Sequence, residues 1–321
     1  MTRHIRALEG AGPGLVGAGR IGLGCMALTG IYGRIERAEA IAVIRRALEL
    51  GIDHFDTAEL YGPYTNEELL AEALGAQRVN VRIATKFGYK LKDGRIVGLD
   101  SRPATIRRAV EGSLLRLRRE RIDLLYQHRV DPAVPIEDVV GTMAVLVSEG
   151  KVAALGLSAI DGATLCRAQA IHTISAVQNE YSLICRQPEV DIFPALRDSA
   201  MSLVAFSPLS RGILCGNAAA DSEREPADYR IKDARFTMDA LSAMTTRLQP
   251  LWDIALQHET LPAVVALAWL LAKHQKISVI PGAKSPVQIA NSMLAAGLLL
   301  SAAELAQLDA INASQPTGGQ E

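Results

Sequence analysis

The sequence predicts an α/β fold in which eight strands, each followed by helical sequence, close into one (β/α)8 TIM barrel over residues 1–321. Short β-rich runs alternate with longer helical patterns along the chain. The strand candidates are nearly continuous apolar runs, as expected when both faces of a parallel sheet are buried. No strand is followed by the G-x-G-x-x-G turn of open doubly wound sheets, and no Pro-, Gly- or Ser-rich linker divides the chain. We therefore expect a single barrel domain.

The predicted elements follow one another in a regular order. The strand candidates are 21–27, 54–58, 82–87, 122–128, 154–158, 176–179, 203–207 and 278–282. Helical patterns fall at 36–50, 66–74, 103–117, 136–149, 161–170, 188–199, 262–273 and 286–296. Asn66 before two glutamates is typical of a helix start, and Gly75 is placed to end that helix. Pro103 is typical of a first helical turn.

Two further segments complete the predicted architecture. Residues 208–240 form a long polar connection after the seventh strand, and connections of that length are usually functional. A lid or cofactor clamp on the active face is one interpretation, and a disordered insertion is the alternative. An additional C-terminal helix is expected around 301–312.

Composition excludes several classes of protein. The 34 Lys and Arg residues balance 35 Asp and Glu residues, so a surface built to hold nucleic acid or an anionic membrane is not expected. The longest apolar run, Leu261 to Ala272, has 12 residues and suits a buried helix rather than a membrane span. Neither an apolar signal segment nor a C-x-x-C pair is present, so we expect a cytoplasmic protein. An arginine-rich stretch at 107–121 is interleaved with glutamates, which favours a solvated helix face over a nucleic-acid site.

Four ionisable residues are predicted to meet at one end of the barrel, where catalytic groups of this fold lie. Asp56 ends the second strand, Tyr61 follows it in the loop, Lys86 lies at the end of the third strand and His128 closes the fourth. Each alone has an ordinary interpretation as a turn, surface or structural residue. Their convergence from three consecutive strand ends favours a catalytic site.

These four residue types are suited to proton transfer to an oxygen atom. An ammonium near a phenol favours the phenolate and lowers the phenol pKa, while a carboxylate keeps the ammonium charged. The imidazole can orient a carbonyl oxygen. The sequence offers no cluster of metal ligands, so no metal is expected, and a metal-assisted barrel hydrolase or isomerase is the less favoured alternative.

Seven motifs carry a resemblance to a known family. They are GLGCMALTGIYG (22–33), HFDTAELYG (54–62), IATKFG (83–88), DLLYQHRVDP (123–132), VQNEYS (177–182), AFSPLSRG (205–212) and IPGAKSPVQIAN (280–291). The chain resembles the aldo-keto reductases, and most of all the bacterial branch related to the potassium-channel β-subunits. The resemblance implies a barrel that binds NADP(H), with NAD(H) as the possible alternative, and reduces a small carbonyl compound or oxidises an alcohol. Tyr61 would be the general acid/base, tuned by Lys86 and Asp56, and His128 would orient the carbonyl.

The same resemblance assigns the residues around the cofactor. Ser158 and Gln178 match residues that bind the nicotinamide carboxamide, with Asn179 close by, and Phe206 matches the aromatic that stacks on the ring. The pyrophosphate turn corresponds to Ser207, Leu209 and Arg211, and the adenosine end to Gly282, Lys284, Gln288 and Asn291. Lys284 and Ser285 precede a helix N-terminus, which suits a 2′-phosphate. Met26 is also expected at the cofactor, and Tyr32, Phe87 and Arg129 are expected in the substrate pocket.

Several positions depart from the family pattern. Phe206 lacks the hydroxyl or indole common at the stacking position, and Ala159 and Ala290 replace common polar residues. Ser210 stands at a common glycine position. These departures bear on cofactor affinity and on the preference for NADPH over NADH. A redox-sensing regulatory subunit that binds the cofactor with little turnover is the alternative function. No pattern predicts an oligomeric state.

Overall fold

The computed structural model describes residues 19–197, 199–216, 224–226 and 228–311. Eight parallel strands form one sheet in the order β1-β2-β3-β6-β7-β8-β9-β10. Their bounds are β1 Leu23–Gly24, β2 His54–Asp56, β3 Arg82–Phe87, β6 Leu124–Gln127, β7 Leu155–Ser158, β8 Ala176–Glu180, β9 Ser202–Phe206 and β10 Ile277–Val279. The antiparallel hairpin of β4 (Tyr89–Lys92) and β5 (Arg95–Leu99) is separate from this sheet.

The sheet curls until its first and last strands meet. Gly22 N donates to the Val279 carbonyl at 2.9 Å, and Val279 N donates to the Arg20 carbonyl at 2.9 Å. Parallel bridges also join Ile21 with Val279 and Gly24 with Gly282. The carboxyl ends of the strands therefore surround a common centre, as the predicted (β/α)8 arrangement requires.

Helices surround this sheet. Their bounds are α1 Arg37–Glu49, α2 Thr65–Leu74, α3 Pro103–Leu117, α4 Ile136–Ser148, α5 Gly162–Gln169, α6 Pro188–Asp191, α7 Phe193–Arg197, α8 Met238–Arg247, α9 Gln249–Gln257, α10 Pro262–Lys273, α11 Pro286–Met293 and α12 Ala302–Ala310. The helix α10 is apolar on all sides and buries eight consecutive residues, Val264 to Leu271. Among the described residues no single helix has the length and apolar character needed to cross a membrane, and α9 with α10, bent by 98°, meets that criterion only as a pair.

Buried side chains form separate layers on the two sides of the sheet. A small cluster contains five strand residues and Ile280, which directly follows β10: Ala84, Leu124, Tyr126, Ala176, Val204 and Ile280. Larger clusters lie between the strands and the helices. Gly156 leaves room for a large neighbour, because a Cβ atom there would lie 2.4 Å from Tyr126 Cε1.

Three sequence expectations about individual elements are corrected. The predicted strand 21–27 is a strand only at β1, and a 3-10 helix follows over Cys25–Thr29. The predicted helix 188–199 is two short helices, α6 and α7. Asn66 does not begin its helix: α2 starts at Thr65, after Tyr64 at φ +70°. Gly75 does follow the end of α2, and Pro103 does occupy the first turn of α3, as predicted.

The segment after β9 is ordered into short turns where it is described. It contains 3-10 helices at Ser210–Cys215, Tyr229–Lys232 and Ala234–Phe236, and then α8 and α9, which the sequence interpretation omitted. Residues 217–223 and 227 of this predicted long connection lie outside the described residues. The predicted interval 301–312 contains α12, and residue 312, like residues 1–18, also lies outside them.

Candidate active site

The structure brings Asp56, Tyr61, Lys86 and His128 together at the carboxyl ends of β2, β3 and β6. Lys86 is only 1% exposed, and its Nζ donates to the Asp56 carboxylate and to the Thr57 carbonyl, the latter at 2.8 Å. The same Nζ lies 3.5 Å from Tyr61 Oη. One ammonium therefore connects the carboxylate to the phenol.

Burial opposes the charges of Asp56 and Lys86. It raises the pKa of Asp56 and lowers the pKa of Lys86, and their mutual attraction acts against both shifts. Gln178 Nε2 donates to the second Asp56 oxygen at 2.7 Å, which also favours the carboxylate. The pair is thus held by direct hydrogen bonds in a water-poor environment.

The pKa of Tyr61 is raised, whereas the sequence predicted that it would be lowered. Burial raises its pKa well above the usual value, and the Asp56 charge raises it further, whereas Arg129 lowers it. The predicted lowering of the Tyr61 pKa is not the net result, because burial is the largest effect and raises it. Tyr61 is consequently a neutral phenol near pH 7, and a neutral phenol can donate a proton.

His128 lies between two tyrosine rings. Its ring contacts Tyr61 at 5.8 Å and Tyr89 at 5.0 Å between centroids, both edge to face. Burial, with the charges of Lys86 and Arg129, lowers the pKa of His128 well below its usual value, so the imidazole is neutral. Within the described part of the chain its buried Nδ1 has no hydrogen-bond partner. The neutral imidazole and the neutral phenol are therefore neighbouring hydrogen-bond donors, and the Lys86 ammonium contacts the phenol.

Buried polar groups support the turn that carries Tyr61. Asn66 accepts a hydrogen bond from Thr57 Oγ1 at 2.7 Å and donates to the Cys25 carbonyl at 3.1 Å. Glu67 accepts from Thr85 at 2.6 Å and from Arg116 at 2.6 Å. These supporting roles were not predicted from the sequence, because Asn and Glu at the start of a helix have the same pattern as ordinary capping residues.

The residues expected around a nicotinamide lie on three neighbouring strands. Ser158 ends β7 and is buried, Gln178 lies in β8, and the half-buried Phe206 ends β9. Asn179 instead holds the loop after β7, because its amide both accepts from Ile160 N at 3.2 Å and donates to Ile160 O at 2.9 Å.

The residues expected around a pyrophosphate form a tight turn. Ser207, Ser210 and Arg211 have φ values of +48°, +49° and +56°. The left-handed conformation of Ser210 is one that glycine adopts with less strain. Arg211 pairs with Asp233, and its guanidinium lies 5.0 Å from the Tyr229 ring. Leu209, by contrast, packs against the core.

The residues expected at the adenosine end surround the start of α11. Lys284 Nζ donates to the Tyr32 and Gly33 carbonyls at 2.9 and 3.1 Å. Gln288 Oε1 accepts from Lys284 N at 2.7 Å, and Ser285 caps the helix by accepting from Gln288 N at 3.3 Å. Gly282 precedes α11 and is exposed, and Asn291 lies within α11 and is half-buried.

The residues predicted for the substrate pocket, and Met26, lie in different parts of the structure. Arg129 lines a groove of about 530 Å³ together with Tyr89, Ile96, Gly98, Leu99, Val130 and Ala159. Tyr32 lies on the β1 side, 5.4 Å from the Arg230 guanidinium, and Met26 is half-buried in the first 3-10 helix. Phe87 is 1% exposed in the core, because adjacent strand residues point to opposite faces and Lys86 takes the inner one. The structure therefore does not place Phe87 in the groove.

The hairpin residues of this groove were missed by sequence analysis. Ile96, Gly98 and Leu99 belong to β5, which was not predicted. Asp93-Gly94 was the available signal, since this dipeptide is typical of a tight hairpin turn, and both residues have positive φ. No group of three or more potential metal ligands occurs among the residues that the structure describes.

Comparisons with known proteins identify the family of this chain. The model of the Aldo/keto reductase family matches residues 20–313. "Probable aldo-keto reductase 1" of Glycine max is 37% identical over 305 residues, covering 94% of this chain and 88% of that protein. A glycerol dehydrogenase structure from Gluconobacter oxydans has a TM-score of 0.82 at 28% identity and covers 94% of each chain. The holo form of an aldo-keto reductase from Bacillus halodurans has a TM-score of 0.75 at 27% identity, covering 92% of this chain and 93% of that one. The chain therefore belongs to the aldo/keto reductase family.

Proposed function

We propose that the protein is an NADPH-dependent carbonyl reductase that transfers hydride between NADP(H) and an aldehyde or ketone. Family membership supports an oxidoreductase of carbonyl groups. The observation that carries the finer proposal is the buried cluster in which Lys86 Nζ lies 3.5 Å from Tyr61 Oη, with the His128 ring beside the phenol.

Each member of the cluster has a distinct role in the proposed reaction. Tyr61 donates its phenolic proton to the carbonyl oxygen, and Lys86 stabilises the phenolate that forms. Asp56 holds Lys86 in position and compensates its charge in the resting site. The neutral imidazole of His128 donates a hydrogen bond that orients the carbonyl oxygen. In the reverse direction the Tyr61 phenolate accepts the alcohol proton.

NADPH, when bound, supplies the hydride that adds to the carbonyl carbon. The residues present fit this cofactor: the half-buried Phe206 ring ends β9, Gln178 lies in the neighbouring strand β8, and Ser158 ends β7 next to β8. Gln178 also serves Asp56, so it would link the nicotinamide amide to the catalytic cluster. Met26 and Asn179 would complete the surroundings of the ring.

The phosphates would be held by cations at two separate places. Arg211 in the turn after β9 would bind the pyrophosphate, with Ser207 and Leu209 shaping that turn. Lys284 and Ser285 would bind the 2′-phosphate at the N-terminus of α11, and Gly282, Gln288 and Asn291 would border the adenosine. This local positive charge supports NADP(H) over NAD(H).

The segment 228–236 would act as the lid. Tyr229 N donates to the Ile31 carbonyl at 2.9 Å, and Asp233 pairs with Arg211, so the segment already connects the β1 loop with the pyrophosphate turn. The substrate would enter the groove beside His128, where Tyr89 and Arg129 border it.

The test compares wild type with Tyr61→Phe on a panel of aldehydes and ketones, with NADPH and NADH in parallel. We expect kcat to fall by about 10²–10⁴-fold, because the variant keeps the ring and loses the transferable proton. NADPH titration by fluorescence should give a similar Kd for both proteins. Undiminished turnover by Tyr61→Phe would contradict the role of Tyr61, and tight cofactor binding without turnover by wild type would favour a regulatory subunit.

A further inference from the structure

Arg129 places an unusual charge beside the proposed reaction site. It follows His128 directly at the end of β6, and its Nη1 donates to the His128 carbonyl at 2.7 Å and lies 3.5 Å from Ser158 Oγ. The guanidinium carbon lies 5.7 Å from the Phe206 ring centroid. The side chain is thus fixed at one nitrogen, between the catalytic histidine and the proposed nicotinamide position.

The opposite edge of this guanidinium has no protein acceptor in the described part of the chain. Neither Nε nor Nη2 donates a hydrogen bond there, and no carboxylate pairs with Arg129. The arginines of the nearby lid segment differ: Arg235, for example, pairs with Glu180 at 2.6 Å and with Asp233 at 2.8 Å. An arginine fixed at one nitrogen presents the other two in the planar fork that binds a carboxylate.

Among the described residues that line the groove, Arg129 carries the only charge. Its other described lining residues are Tyr89, Ile96, Gly98, Leu99, Val130 and Ala159. Its volume of about 530 Å³ is within the usual range for small-molecule sites. The positive charge of Arg129 also lowers the pKa of both Tyr61 and His128, so it lies within electrostatic range of the reacting groups. A ligand in this groove therefore meets one cation and an apolar wall, and Tyr89 of that wall packs against the His128 ring.

We propose that the substrate is a carbonyl compound with a carboxylate at its far end, and that the Nε–Nη2 edge of Arg129 binds this carboxylate. The inference rests on the proposed carbonyl reduction and specifies its substrate class. Ile96 and Leu99 would cover the apolar part between the two functional groups. A carboxylate is favoured over a phosphate, because a single guanidinium compensates one negative charge and no second cation lines the described groove.

The test uses two aldehydes of nearly the same shape, 4-formylbenzoate and its neutral amide, 4-formylbenzamide. We expect wild type to have a kcat/KM at least about 10-fold higher for the anion, as a charged hydrogen bond in a partly buried site provides. The ratio of the two kcat/KM values should fall by about 10-fold in Arg129→Gln and recover in part in Arg129→Lys. Lys90→Gln, a change of an exposed cation on the same hairpin, is the matched control and should leave the ratio within about 2-fold of wild type.

The ratio separates substrate selection from general loss of activity, because effects common to both aldehydes cancel. Equal use of the two aldehydes by wild type, or an unchanged ratio in Arg129→Gln, would overturn the proposal. Calorimetric titration of wild type and both Arg129 variants with the two compounds gives a readout that needs no turnover. If neither aldehyde is reduced, carbonyl reduction fails as the function. Preferential binding of the anion through Arg129 would then still support the carboxylate site, whereas equal binding of the two compounds would overturn the carboxylate site.

Discussion

Glu59 is a buried carboxyl in the turn between Asp56 and Tyr61, and the proposed mechanism does not use it. It is 8% exposed and accepts a hydrogen bond from the backbone N–H of Gly88. Burial raises its pKa to about 7, and the neighbouring Glu67 charge contributes to that shift. Glu67 differs because Arg116 and Thr85 both donate to it. Two neighbouring carboxyls thus have different surroundings.

The raised pKa predicts that Glu59→Gln stabilises the protein more at pH 8 than at pH 5. The unfolded carboxyl titrates near 4.5 and the folded one at about 7, so the folded state binds more protons between these values. The free energy of unfolding of wild type therefore falls as pH rises through this window, by up to about 3 kcal/mol, and the amide removes this loss. Urea unfolding of both proteins at the two pH values measures the difference.

Glu68→Gln is the matched control, since Glu68 is an exposed carboxyl in α2, the helix that follows the turn containing Glu59. It should leave the pH dependence of unfolding as in wild type. If Glu59→Gln and wild type had stability curves that ran parallel from pH 5 to pH 8, Glu59 would not be the group that titrates in this window.

At the scale of elements, the hairpin β4-β5 supplies one wall of the groove without belonging to the barrel sheet. Among the residues of β5, Ile96, Gly98 and Leu99 line the groove, whereas Val97 does not. Both are about half exposed, at 53% and 51%. Comparing substitutions at Ile96 and Val97 therefore distinguishes the effect of losing a substrate contact from the effect of losing an exposed apolar side chain.

We predict that Ile96→Ala lowers kcat/KM for apolar aromatic aldehydes by about 3- to 10-fold, through loss of roughly 1 kcal/mol of apolar contact. Val97→Ala should stay within about 2-fold of wild type, because that side chain does not line the groove. Neither change should alter the unfolding midpoint much, since both residues are exposed. Steady-state kinetics with 4-methylbenzaldehyde and glyceraldehyde compares a large apolar substrate with a small polar one. Equal losses for the two variants would show that the hairpin does not form a substrate wall.

The barrel strands and the hairpin also show which elements could be predicted from sequence. Lys86 and His128 lie at the ends of apolar, β-rich runs. Such runs indicate buried strands without reference to any loop contact, so both residues could be placed at strand ends from the sequence. The hairpin has mixed, exposed residues, and only Asp93-Gly94 indicated a turn. Arg129 was predicted as a pocket residue, but its single-nitrogen anchoring depends on the His128 carbonyl and on Ser158, which no local pattern encodes.

At the scale of the whole molecule, the barrel depends on a close approach between its first and last strands. β1 has only two strand residues, and Gly24 N donates to the Pro281 carbonyl at 3.1 Å. A Cβ atom on Gly24 would lie 2.6 Å from the Ile280 carbonyl oxygen. The glycine is therefore needed for space rather than for an unusual backbone angle, because its φ is −78°. Few hydrogen bonds join β1 to the last strand, and we call this junction the seam. A steric change at the seam therefore weakens the closure of the barrel.

We predict that Gly24→Ala lowers the free energy of unfolding by about 1–3 kcal/mol, because backbone at the seam must shift to admit the methyl group. Gly141→Ala is the opposite control: this glycine lies inside α4 with no heavy atom within 4 Å of the added Cβ. There alanine should stabilise the helix by roughly 0.5–1 kcal/mol. Urea unfolding followed by far-ultraviolet circular dichroism measures both changes under the same conditions. If the free energy of unfolding falls in Gly24→Ala and rises in Gly141→Ala, the steric constraint lies at the seam. If it rises in both variants, the barrel can accommodate a methyl group at Gly24.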